Sequence, residues 1–231
     1  MLSRRLAGVL AGALVLHSAV AGAAAGEATA LVDAHLHYTA AQARELPPAA
    51  IVARLDDHGV AAGVVTGTPA ELALRLEEAA PGRFMPLLGV YDAYADKESW
   101  HRDPDLPGRV EQALGEAEWH GVGELHLFAE HRHSPVFHRI VALAAARDLP
   151  LLLHGDPAVV DALFAEHPEA TVVWAHAGAY PCPALLRDYL ARYPRLYADL
   201  SMRDARIAPG GRLDPQWEWL LMEHPERFMV G

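Results

Sequence analysis

The sequence predicts an α/β protein built as a (β/α)8 TIM-type barrel. Eight short apolar runs recur along the chain, amphipathic stretches at helical spacing separate them, and no linker interrupts the series. Strands that alternate with helices pair in parallel, because parallel neighbours need a crossover connection. Eight such units in one series favour a closed barrel over an open sheet. No G-x-G-x-x-G follows the first run, which disfavours a dinucleotide-binding fold.

The first 25 residues stand apart from this fold. Arg4 and Arg5 precede an apolar stretch rich in Ala, Leu and Val, which ends in Ala23-Ala24-Ala25. A basic start, an apolar middle and a small-residue end predict a secretory signal peptide over residues 1–25. An uncleaved membrane anchor is the alternative; His17 and the glycines count against it. Residues 26–231 then form a single domain, expected in the periplasm or outside the cell.

The apolar runs cover residues 30–37, 59–67, 84–91, 121–128, 149–154, 171–176, 196–201 and 227–231. Between them, residues such as Leu186, Tyr189, Leu190 and Tyr193 repeat at spacings of three and four, as one face of a helix does. Thr68-Pro69, Ser134-Pro135, Asp156-Pro157 and Asp214-Pro215 each place a capping side chain before a proline suited to the first helical position. Thr68 with Glu71 fits a capping box, and Gly59 and Gly121 stand where helices end. Residues 92–106 and 202–213 form two longer loops at the C-terminal ends of strands three and seven, where barrel enzymes build their sites.

Composition narrows the function. With 52% hydrophobic residues the chain is not a disordered one. Its single cysteine, Cys182, excludes a disulfide scaffold. A net charge of −11 gives no electrostatic footprint for nucleic acid. The partner expected is a small-molecule substrate, with no membrane association after signal cleavage; a homo-oligomer is compatible with the sequence.

Position, more than number, makes the histidines informative. There are 14, and chance alone supplies about one H-x-H pair in so rich a chain. His35 and His37 end the first run, two apart and so on one face with Asp33. His154 ends the fifth run and His176 the sixth. In a barrel all four meet at one rim, where separate core histidines would each need a buried partner. One divalent ion satisfies several together, and neutral imidazole suits zinc, manganese or iron. His35, His37 and His154 are candidate ligands; His176 either ligates or orients substrate or water. His131 and His133 read as surface residues of a polar loop, and His101, His138 and His167 as ordinary helix or loop histidines.

Among the carboxylates, Glu124 lies inside the fourth run, where burial is costly unless the group is paired or metal-bound. It is a candidate ligand or acid/base group, or else a partner for a neighbouring polar side chain. His126 shares its face. Asp199 reads equally as a cap or a substrate contact. Asp33 reads as a support for a ligand histidine. Arg203 and Arg206 in the long seventh loop either clamp a substrate carboxylate or are solvated.

Asp33-Ala34-His35-Leu36-His37 on strand one, with His154 ending strand five and His176 ending strand six, resembles the amidohydrolase superfamily, in particular its amidohydrolase-related branch of hydrolases and decarboxylases. The resemblance implies a distorted barrel with His35, His37 and His154 on one divalent metal, zinc with manganese or iron as alternatives, and His176 beside the reacting water or substrate. It also implies an aspartate just after strand eight. The sequence stops at Gly231, inside that strand, so the barrel is expected to be incomplete at its C-terminal end, with the last strand partial and the last helix missing. Some members bridge two metals with a carboxylated lysine on strand four. The chain's one lysine, Lys97, falls after strand three, which excludes that arrangement.

The expected activity is metal-dependent hydrolysis of an amide, ester or lactone, with Glu124 and His176 as the acid/base and oxyanion-stabilising groups. Non-oxidative decarboxylation at the same site is the alternative. A non-catalytic metal- or ligand-binding periplasmic protein is another.

Overall fold

Eight parallel strands pair in chain order: β1 (Leu31–Thr39), β2 (Val60–Thr68), β3 (Phe84–Leu88), β4 (Gly121–Leu127), β5 (Leu151–Gly155), β6 (Val172–Trp174), β7 (Leu196–Asp199) and β8 (Phe228–Met229). Each expected run overlaps one of them, and β1, β2 and β5 continue one or two residues past theirs. The computed structural model describes residues 30–231; the expected signal segment, residues 1–25, lies outside the described residues. Among the described residues no helix is long and apolar enough to cross a membrane.

The helices are α1 (Ala40–Glu45), α2 (Pro48–Asp57), α3 (Glu71–Ala79), α4 (Leu106–Glu116), α5 (Pro135–Ala145), α6 (Pro157–Glu166), α7 (Pro183–Arg192), α8 (Asp204–Ile207) and α9 (Pro215–Glu223). On α5, Val136, Phe137, Ile140, Val141 and Ala144 are buried at the three- and four-residue spacing of one face. They join fully buried strand residues such as Leu125, Leu151, Leu153 and Val172 in one core. Burying a side chain of this size contributes about 1.5–3 kcal/mol. Alternation of strand and crossover helix thus becomes a barrel because both faces of each strand have somewhere apolar to go.

The sheet comes nearly full circle. The Ala34 N–H of β1 donates to the carbonyl of Val230, just past β8, at 2.8 Å. Gly231 then lies against His35, where a Cβ would sit 2.8 Å from that of the histidine.

Two of the expected caps form. Ser134 accepts from the Phe137 N–H of α5, and Asp214 accepts from Gln216 and Trp217 of α9. Asp156 precedes α6 but its carboxylate accepts from the Ala129 N–H at 2.8 Å, tying the loop after β4 to this helix. Thr68 ends β2 and caps nothing, because α3 begins only at Glu71. A capping box forms instead at Thr39 and Gln42. Gly59 ends α2 with φ +68°, whereas Gly121 opens β4.

Register slips at two places that matter for function. Asp33 pairs with Gly63 and Leu36 with Val65, so β1 spends one residue more than β2 around Ala34 and His35. Gly123 pairs with Leu152 and Leu125 with Leu153, which leaves Glu124 opposite nothing. Bulges of this kind re-aim side chains.

Candidate metal centre

The C-terminal ends of β1, β4, β5, β6 and β7 bring two carboxylates and five imidazoles together. Glu124 is the hub. Its Oε1 lies 2.9 Å from His154 Nδ1, 3.5 Å from His176 Nε2 and 3.7 Å from His35 Nε2. Its Oε2 lies 2.7 Å from His126 Nε2, 3.3 Å from His37 Nε2 and 3.9 Å from Lys97 Nζ. The bulge turns Glu124 inward, and Gly123 makes it possible: its φ is +135°, and a Cβ there would collide with the Leu152 carbonyl. Burial opposes ionisation of Glu124. The imidazoles of His126, His154, His176 and His35 ranged around it outweigh this and hold the carboxyl far below the usual carboxylate range.

Behind this hub, a second buried carboxylate sets the tautomers. Asp199 Oδ2 is 3.0 Å from His35 Nδ1, so that nitrogen carries the proton and donates it. Asp199 Oδ1 accepts from the backbone N–H of His176 at 3.2 Å, from that of Ser201 at 3.0 Å, and from the Ser201 hydroxyl. With its hydroxyl so committed, Ser201 Oγ accepts from His176 Nδ1 at 2.7 Å. Burial raises the Asp199 pKa, but its bonds to His35, Ser201 and His176 prevail and lower it. Burial likewise pulls His35 down, and its bonds to Asp199 and Glu124 reverse this and raise its pKa to about 9. The backbone of His176 is held in the left-handed region, at φ +59°, a conformation sustained only where the surroundings over-determine it.

The proton count points to a cation. With their Nδ1 protons spent on Asp199 and Ser201, His35 and His176 turn Nε2 lone pairs toward an anionic carboxylate. Lone pairs facing lone pairs need a positive charge between them, a proton or a metal ion. His35 Nε2 and His37 Nε2 are 3.1 Å apart. Two nitrogens bound tetrahedrally to one zinc ion at about 2.0–2.1 Å stand about 3.3 Å apart. The residues present therefore fit a divalent ion. Two donor groups face inward, His35 with His37 and Glu124, and Glu124 with His126 and His154; a third grouping, His35 with His176 and Asp199, is already joined by the hydrogen bonds just described.

The amidohydrolase family model matches residues 17–229. This chain belongs to the amidohydrolase family. A solved structure, amidohydrolase 2 from Bifidobacterium longum subsp. infantis, is similar at 20% sequence identity over 87% of this chain and 82% of that one, with a TM-score of 0.50; that likeness concerns the fold. No curated protein matches the chain.

Within this amidohydrolase the expected residues converge, with differences of detail. His35 and His37 share a group with Glu124, while His154 enters through Glu124 and stacks on His126 at 4.3 Å. His126 is fixed from outside: its N–H donates to the Tyr91 hydroxyl at 2.6 Å and its carbonyl accepts from the Trp100 indole at 2.8 Å. Asp33 does not touch an imidazole. The bulge breaks the simple alternation, and its carboxylate accepts from the backbone N–H of His35 at 2.9 Å. Asp199, fully buried, contacts His35 and not solvent.

Arg203 is not free to clamp a substrate. Its guanidinium donates to the carbonyls of His176, Gly178 and Ala179, bracing the segment that carries His176. Arg206 is exposed on α8.

Lys97 is the residue sequence reasoning missed. It sits in a short 3-10 turn, Tyr94–Glu98, and its Nζ reaches 2.9 Å from His126 Nε2. Burial lowers its pKa, against the attraction of Glu124. Its being the only lysine was the one available signal.

Proposed function

We propose that this amidohydrolase is a metal-dependent hydrolase that cleaves an amide, ester or lactone bond of a small molecule. The observation that carries the reading is the convergence of the His35, His37 and His176 Nε2 atoms on the ionised Glu124. His35, His37, His154 and Glu124 would hold one divalent ion, zinc, with manganese or iron as alternatives. When bound, such an ion polarises a carbonyl and acidifies water. His176 takes the proton of the attacking water at Nε2 and returns it to the leaving atom. Ser201, its hydroxyl committed to Asp199, accepts from Nδ1 and so makes Nε2 the lone-pair nitrogen of the neutral ring. Glu124, ionised, keeps the surrounding imidazoles aimed inward.

The mouth supports a small, partly apolar substrate. Tyr94, Phe128, Tyr180 and Met202 are exposed on the segments that follow β3, β4, β6 and β7. Beside His126 lies a cavity of about 290 Å³ lined in part by Lys97, Arg102, Glu98 and Phe128, where two cations against one carboxylate leave room for an anionic group. A carboxylate held there also favours a second reading, non-oxidative decarboxylation at the same centre. The apolar segment at residues 1–25 supports secretion or periplasmic residence.

The test assays purified protein against aryl amides, aryl esters and lactones, and against aromatic carboxylic acids with carbon dioxide detection. We expect hydrolysis that is abolished by chelation, restored by metal, and lowered about 10²–10⁴-fold in His176→Ala. Carbon dioxide release without hydrolysis selects the second reading. Turnover that survives chelation overturns both.

A further inference from the structure

A second cluster of donors lies outside the centre already described. We infer that His133, His138 and Glu166 form a separate transition-metal site, of the zinc type, joining the turn before α5 to the end of α6. One donor atom from each lies within 4.8 Å of the others. None of them belongs to the inner centre.

The proton count decides what this cluster takes. His138 is 9% exposed, and its Nε2 donates to the Arg132 carbonyl at 2.8 Å. That bond places the ring proton on Nε2 and leaves a lone pair on Nδ1. Nδ1 is buried and has no hydrogen-bond partner. It nevertheless faces Glu166 Oε2 at 3.3 Å. A lone pair and a carboxylate oxygen at that distance need a cation between them.

The rest of the surroundings suits a metal. Metal-bound histidines commonly donate their far N–H to a backbone carbonyl, as His138 does to Arg132. His167 stacks on the His138 ring at a centroid distance of 5.5 Å and screens it. His133 and Glu166 are exposed, so the ion can enter and keep one position for water. Two imidazoles, a carboxylate and water make a common zinc set. The site clips the polar turn after β4 to α6, alongside the Ala129 to Asp156 hydrogen bond. Its role is structural, because it ties two elements together and none of its three donors lines the cavity beside His126.

The full chain, freed of metal, is titrated with zinc by calorimetry, and its metal content is measured after gel filtration. His133→Ala and Glu166→Gln are the variants; both residues are exposed, so the fold survives either change. We expect the unaltered chain to bind one zinc equivalent more than either variant. Binding at this site should weaken by more than about 100-fold, beyond the loss of a mere supporting partner. The same extra equivalent should persist in His37→Ala, which separates this site from the inner one. Equal stoichiometry and affinity in the unaltered chain and both variants would mean that only a proton joins His138 to Glu166, and the inference falls.

Discussion

His35 Nδ1 and Asp199 Oδ2 lie 3.0 Å apart across 164 positions of sequence. The contact joins β1 to β7 across the short β8, and both side chains are almost wholly buried. It fixes the tautomer of His35 and therefore which nitrogen faces the metal centre.

Asp199→Asn keeps the volume and removes the charge. The amide does not hold His35 in one tautomer, and His176 loses part of its support. Metal affinity should fall about 10–100-fold, measured by zinc titration of folded protein. Unchanged affinity would show that Asp199 does not orient the ligand.

The metal-free protein should lose stability with alkali. His35 has its pKa raised from 6.5 to about 9 in the folded state. A raised pKa means the folded chain holds the proton more tightly. The resulting stability is fully present below about pH 6.5 and is lost as pH rises through about 9. Urea unfolding of chelator-treated protein across that window should show the decline, and Asp199→Asn should flatten it. A flat profile in the unaltered chain contradicts this account.

Gly123→Ala should abolish metal binding. A Cβ at that position meets the Leu152 backbone, and alanine disfavours φ +135°. Relief moves the bulge, and with it Glu124. Zinc uptake by the soluble variant is the readout; uptake equal to that of the unaltered chain would show that the bulge is not needed.

Ser134→Ala should destabilise the fold by about 1 kcal/mol, the usual cost of a lost helix cap. The hydroxyl accepts from Phe137 N–H and donates to the His101 carbonyl at 2.6 Å. Denaturant unfolding measures the loss, and a change near zero would mean that water replaces the hydroxyl without cost.

Much of this is legible in the sequence. Strand and helix alternation carries the barrel, because each apolar run is long enough to be a buried strand and too short for a helix. The four histidines at run ends converge because successive parallel strands end at one rim. What sequence spacing could not carry was the register. A bulge in β1 separates Asp33 from the imidazoles it seemed to accompany, and a bulge in β4 makes Glu124 the centre. The contacts of Lys97 and Arg203 escape sequence reading for another reason: loop residues reach their partners through tertiary packing, which leaves no periodic trace. Asp156 and Thr68 look like caps locally, yet one serves a different loop and the other ends a strand.

The long reach from His35 to Asp199 has a kinetic side. Contacts between distant parts of a chain form late, after the entropy of closing the intervening loop has been met. A nascent polypeptide that has made only β1 to β6 holds most of the donors but not the carboxylate that sets the proton on His35. Full metal affinity should therefore arise only when the first and seventh strands meet, so ion uptake can serve as a clock for ring closure during refolding.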